Sequence, residues 1–217
     1  MNSLGALFGV HFSDGVLAHP NKLGAPVVLC ASYTDEAVEK HSAFNRMQAW
    51  GYGVSVPTAV ALDYSQVKDF EVYPVLVTGD SAWIEHETKD MVDGEFVCNP
   101  AAGEKEGNYA VLINLSRKIG DKEQRIIISG DSDFITNEEF GLTRPGMEVN
   151  NFEVITGSFR WLSYDAYPIY TDRIGAIDNG INLSGGWRVW IKLFFMILFP
   201  AFLVGTGVTI IYRRQRK

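Results

Sequence analysis

Residues 124–134 read Gln124-Arg125-Ile126-Ile127-Ile128-Ser129-Gly130-Asp131-Ser132-Asp133-Phe134, an apolar run stopped by a Gly-Asp turn. The three isoleucines do not alternate with polar residues, so the strand they form must be covered on both faces, as expected in a parallel or mixed sheet. A helical pattern follows at Asp133–Phe140. Strand, polar turn and helix in that order suggest an α/β sandwich.

The rest of the head repeats this alternation. Short β-rich runs occur at Pro26–Ala31, Gly53–Leu62, Phe70–Val77, Tyr109–Leu115 and Arg125–Ser129, each bounded by Gly, Pro, Asp or Asn. Helical segments are expected at Ser3–Phe8, at Asp35–Gln48 behind the cap-like Thr34, and at Asn150–Leu162. Residues 92–108 and 164–186 have little periodicity and read as a loop and a stalk. The expected domains are therefore an α/β head over 1–163, a linker over 164–186, a membrane helix over 187–212 and a basic tail over 213–217.

Charge divides the chain at the same place. Of 217 residues, 47% are hydrophobic and 21% charged, which excludes a disordered polypeptide. Six of the 19 basic residues and none of the 26 acidic ones lie from Trp187 onward, leaving a head of net charge −13 and a tail of +6. An acidic head argues against nucleic-acid binding, which needs clustered Lys and Arg against phosphates.

Leu193 to Tyr212 form twenty positions without a charge, a match to the ~30 Å hydrocarbon core at ~1.5 Å per residue. Trp187, Trp190 and Tyr212 flank the stretch as interfacial aromatics do, and Lys192 can snorkel outward. Arg213, Arg214, Arg216 and Lys217 outnumber Arg188 and Lys192, so the C-terminus should be cytoplasmic and the head extracytoplasmic. The first thirty residues hold no signal peptide. Export by preceding membrane segments of a longer or neighbouring polypeptide is the expectation. Ala201, Gly205 and Thr209 form a small-residue stripe suited to close helix packing, and Pro200 should kink the helix by freeing the Met196 carbonyl.

The turn at Asp131, Ser132 and Asp133 is the best ligand-binding candidate, because loops at the carboxyl ends of sheet strands are where ligands bind. The competing reading makes Ser132 or Asp133 a helix cap and Gly130 the residue of a tight turn. No catalytic constellation, metal-ligand spacing or nucleotide motif is found, and no cofactor is expected. His11, His19, His41 and His86 are scattered, and Glu85-His86-Glu87 reads as surface charge. Cys30 and Cys98 read as small buried apolar residues, although an exported head would tolerate a disulfide between them.

Several of these blocks together resemble the auxiliary extracytoplasmic component of gliding-motility-type (GldG-like) ABC transport systems. They are Leu4-Gly5-Ala6-Leu7-Phe8-Gly9-Val10 with Asp14-Gly15-Val16-Leu17; Pro74-Val75-Leu76-Val77-Thr78 with Ser81-Ala82-Trp83 and Glu85; and Gln124–Phe134 followed by Asn137 and Trp161-Leu162. The Gly-Asp-Ser-Asp-Phe block is the distinctive one. The resemblance implies a Rossmann-like, glutamine-amidotransferase-like sandwich without that enzyme's catalytic cysteine, anchored in the bacterial cytoplasmic membrane beside an ABC permease and its separate ATPase. It also implies that the sequence begins at a point internal to the family's usual protein. A non-catalytic accessory subunit is the function expected. The alternative is a membrane-tethered ligand-binding or carbohydrate-active protein using Asp131 and Asp133, although carboxylates two residues apart on one turn rarely straddle a glycosidic bond at ~5–9.5 Å.

Overall fold

A computed structural model describes residues 2–20, 26–87, 96–142, 144, 146–167 and 185–216. The chain divides into two units, Met1–Tyr170 and Thr171–Lys217. The first contains α1 (Asn2–Gly5), β1 (His11–Phe12), β2 (Val16–Ala18), β3 (Val28–Tyr33), α2 (Asp35–Lys40), α3 (Ser42–Ala49), β4 (Val54–Pro57), β5 (Leu62–Asp63), β6 (Glu71–Val77), β7 (Trp83–Glu85), β8 (Ala110–Ile119), β9 (Lys122–Ser129), α4 (Asn137–Gly141) and α5 (Asn151–Leu162). Short 3-10 turns stand at Ala6–Phe8, Pro100–Ala102 and Asp133–Ile135.

The central sheet has five strands in the order β4-β3-β6-β8-β9, and each neighbouring pair in it is antiparallel. This corrects the parallel or mixed, Rossmann-like expectation. The cause is local at β8 and β9, where Ile119 pairs with Lys122 across a two-residue turn. Gly120 adopts φ +61° there, a conformation that suits glycine at the first position of a type II′ hairpin. A two-residue connection can only return the chain antiparallel, whereas a parallel pair needs a crossover of a dozen residues or more.

Coverage of both faces, the other half of the expectation, is what the structure contains. Ile127 packs against one apolar cluster, with Leu29, Phe44, Val54, Val111 and Val154 at its centre. Ile126 and Ile128 pack against a second, with Val10, Leu62, Ile113 and Leu115. Helices α2, α3 and α5 contribute Ala37, Phe44 and Val154 to the first cluster. The N-terminal segment and the β1–β5 ribbon supply Phe8, Val10, Phe12 and Leu62 to the second.

Three expected elements are divided. The run Gly53–Leu62 breaks at Thr58, whose φ of +57° is costly for a β-branched residue, and the chain leaves β4 to enter β5. The helix Asp35–Gln48 breaks at His41, which is extended and separates α2 from α3. Asp133–Phe140 becomes a 3-10 turn followed by α4 behind Thr136, whose hydroxyl accepts from the Glu139 N–H. Residues 96–108 of the expected loop include the Pro100–Ala102 turn, and 88–95 lie outside the described residues. The stalk's residues 168–184 likewise lie outside them.

Both edges of the sheet are closed by α5 and its flanks. At β4, the Asn151 side chain accepts from the Ser55 N–H (2.9 Å) and donates to the Ser55 carbonyl (2.8 Å) and the Phe134 carbonyl (3.0 Å). Beside it, Gly53 donates to the Glu148 carbonyl and accepts from the Asn150 N–H. At β9, the Arg125 guanidinium donates to the Trp161 carbonyl and lies 4.1 Å from the centre of the Tyr164 ring, while the Tyr164 hydroxyl donates to the Glu123 carbonyl.

In the second unit, α6 (Gly185–Leu193) runs through a π-helical turn at Phe194–Leu198 into α7 (Phe199–Gln215). Val189–Gln215 is a helix of 27 residues, long and apolar enough to cross a membrane by length and composition. The expected disturbance at Pro200 takes the form of this wider turn, in which Phe199 N–H donates to the Phe194 carbonyl five residues back. The Thr206 hydroxyl donates to the Phe202 and Leu203 carbonyls and the Thr209 hydroxyl to the Gly205 carbonyl, so both are satisfied inside their own helix.

Asn151→Ala removes the partner of three buried backbone groups at once, the Ser55 N–H and carbonyl and the Phe134 carbonyl. It should destabilise the head by about 2–3 kcal/mol, read as a lower urea midpoint of the detergent-solubilised full chain by tryptophan fluorescence.

Candidate functional site

The turn after β9 is held from both sides. Gly130 donates to the Val111 carbonyl (2.8 Å) and accepts from the Val60 N–H (2.9 Å). A Cβ on Gly130 would stand 2.0 Å from the Val60 oxygen. Close backbone approach, not a positive φ, is thus what demands glycine here.

The Ser129 hydroxyl donates to the Asp131 carbonyl (2.7 Å) and accepts from the Asp131 N–H (3.2 Å). Asp131 Oδ1 accepts from the Asp133 N–H at 2.8 Å, which makes Asp131 the side chain that caps the 3-10 turn. The expectation had given the cap to Ser132 or Asp133. Ser132 stands at the cap position without a capping bond of its own, and both it and Asp133 are exposed. Phe134 is buried in the main core.

Asp131 Oδ2 is buried without a hydrogen-bond partner. Burial pushes this carboxyl up to about 6, and the Asp133 carboxylate adds to the effect against the backbone N–H groups of Asp133, Phe134 and Ser132. The turn therefore holds an acid that titrates well above the ordinary aspartate range. Chemically it offers a proton donor or one free acceptor.

Next to the turn lies a polar network that sequence reading did not find. Arg144 donates to both carboxylate oxygens of the buried Glu139 (2.9 Å for Nη2–Oε2) and to the Ser55 hydroxyl (3.0 Å). Burial raises the Glu139 carboxyl, but the Arg144 pair and the Ser55 hydroxyl outweigh it and the net direction is downward. Ser55 carries the Asn151 amide on its backbone and Arg144 on its hydroxyl. These partners are up to 96 positions apart in sequence, so spacing held no signal for them.

The other expected sites are placed differently. Glu85 is fully buried rather than part of a surface charge cluster, accepting from the Trp83 indole (3.2 Å) and the Glu87 N–H (2.8 Å), while His86 and Glu87 are exposed. The buried Glu104 accepts from the His86 and Asn99 N–H groups and pins residues 99–104 to β7. No group of three His, Cys, Asp or Glu able to hold a metal occurs among the described residues.

Cys30 and Cys98 are free, and Cys30 is exposed rather than buried. It lines a cleft of ≈ 250 Å³ with Ser32, Met147 and His19, whose Nε2 is 3.0 Å from the Ser81 hydroxyl. In the second unit, Gly205 and Thr209 line one furrow with Phe202, Thr206, Ile210 and Arg213, and Ala201 is not among its lining residues.

Comparison of the chain with family models, with curated proteins and with solved structures finds no match.

Asp131 binds its proton more tightly in the folded chain than in the unfolded one, where an aspartate titrates near 3.8. Its contribution to stability is therefore greatest below about pH 4 and is lost as the pH rises through about 6. Asp131→Asn keeps an oxygen for the Asp133 N–H but cannot ionise. Its stability relative to wild type should climb between pH 4 and pH 7, measured by urea unfolding at each pH.

Proposed function

We propose that the protein is a membrane-anchored, non-catalytic accessory subunit whose head docks onto a partner, in the setting of a gliding-motility-type ABC transport system with separate permease and ATPase. The observation that carries the docking role is an apolar surface beside the Gly-Asp-Ser-Asp-Phe turn. Ile135, Phe140, Leu142 and Phe152 are all exposed there, and the Phe140 and Phe152 rings meet edge to face at 6.2 Å. Large apolar side chains grouped on a soluble face suit a protein interface. The helix Val189–Gln215 supports the anchor, and the excess of basic residues beyond it supports a cytoplasmic C-terminus with the head outside the bacterial cytoplasmic membrane. The transport setting rests on the motif resemblance.

A second reading is favoured by one observation, the unpartnered Oδ2 of Asp131 on a carboxyl titrating at about 6. An acid tuned toward neutrality is what a proton donor to a bound ligand requires. On this reading the head is an extracytoplasmic ligand-binding or carbohydrate-active domain using Asp131 and Asp133.

Copurification from native membranes through a tag on the C-terminal tail separates the two. The docking reading expects an ABC permease and ATPase with the wild type, and their loss with Phe140→Ser/Phe152→Ser while Asp131→Asn retains them. Retention of the partners by the double serine variant would remove the apolar face from the docking role.

A further inference from the structure

We propose that the basic end of α7 is a docking surface for anionic phospholipid headgroups, an inference that rests on reading Val189–Gln215 as a membrane span. At ~1.5 Å per residue those 27 residues measure ~40 Å, about 10 Å more than the hydrocarbon core needs. The excess reaches the headgroup layer, and the residues at the C-terminal end that reach it are Arg213 and Arg214 in the last turn, with Arg216 at the cap. The Arg216 guanidinium lies 4.8 Å from the centre of the Tyr212 ring, a stacking that holds it at the level where a tyrosine sits in the interface.

Three further facts set the chemistry of the partner. No acidic residue occurs from Trp187 to the last residue given, so nothing within this segment neutralises the arginines. The helix C-terminus carries a partial negative charge that favours cations beside it but cannot satisfy three guanidinium groups. Arginine forks pair with phosphate oxygens in a planar, two-bonded geometry that lysine does not offer. The two ends of the helix also differ, since the N-terminal flank carries only Arg188 and Lys192. The preference for anionic lipid should therefore reside at the C-terminal end.

The test reconstitutes the full chain into vesicles of phosphatidylcholine with one third phosphatidylglycerol, then extracts it in mild detergent and weighs the retained lipid by mass spectrometry. The ratio of phosphatidylglycerol to phosphatidylcholine in the retained lipid should exceed the bulk ratio roughly fivefold, the gain expected of a single basic residue at an anionic surface. The enrichment should vanish in Arg213→Gln/Arg214→Gln/Arg216→Gln and fall at high salt, where surface charge is screened. The matching triple Lys variant should keep part of it. Wild-type protein that resists alkaline extraction from the vesicles yet retains the two lipids in bulk proportion overturns the inference and leaves the span intact. Release of the protein by alkaline extraction overturns the span itself, and the inference with it.

Discussion

The amide of Asn151 holds the first unit in register with itself. An antiparallel sheet of five strands has two edges, and an open edge presents unpaired N–H and C=O groups that invite pairing with another chain. On β4 the Asn151 side chain satisfies both free backbone groups of Ser55, in the way an added strand would. Pro57, which has no N–H to leave unpaired, ends that same strand. The helix that begins at Asn151 has 12 residues, ~18 Å of length. Four inter-strand gaps of ~4.8 Å make the sheet ~19 Å across. One helix thus reaches from one edge to the other, and at its far end Trp161 and Tyr164 meet Arg125 and Glu123 on β9.

The far contact also closes the helix. Tyr164 and Asp165 both take positive φ, 56° and 63°, and the Asp165 N–H returns to the Arg160 carbonyl at 2.8 Å. Asp165 then accepts from Arg160 (3.2 Å) and lies 3.4 Å from His41 Nε2. Two non-glycine residues in the left-handed region carry a conformational cost. It is offset where the Trp161 carbonyl receives Arg125 and the Tyr164 ring stacks on it. The strain therefore belongs to the closure of the β9 edge, since the same turn aims both aromatic residues at that strand.

What the sequence made legible follows from how local each cause is. Three adjacent isoleucines require cover on both sides, and the cover is there. They carry no information about strand direction, which Gly120-Asp121 decides five positions earlier. That pair has the glycine-first form of a two-residue hairpin, so the antiparallel answer was written in the chain in a pattern shorter than the strand runs around it. Strands β1, β2, β5 and β7 have two or three residues each, too few for periodicity to register. At the turn, a capping role was visible in the cluster of Asp and Ser, but which residue caps depends on backbone angles, and Asp131 takes it because Gly130 is drawn tight between Val60 and Val111. Glu139 with Arg144 and Ser55 with Asn151 form a site only after the sheet and α5 have met.

The two units satisfy polar groups by the same rule. In the first, the buried carboxylates Glu85, Glu104 and Glu139 are satisfied by N–H donors from the protein, because burial without partners costs a carboxylate several kcal/mol. In the second, exposed threonine hydroxyls turn back onto their own helix and Pro200 is accommodated by a widened turn. Water around the helix would have satisfied a free hydroxyl or carbonyl equally well, so internal satisfaction has value there mainly when the surroundings are apolar. Among the described residues of the first unit, Asp131 Oδ2, Tyr33 Oη and Asn114 Oδ1 depart from this rule as buried polar atoms without a hydrogen-bond partner.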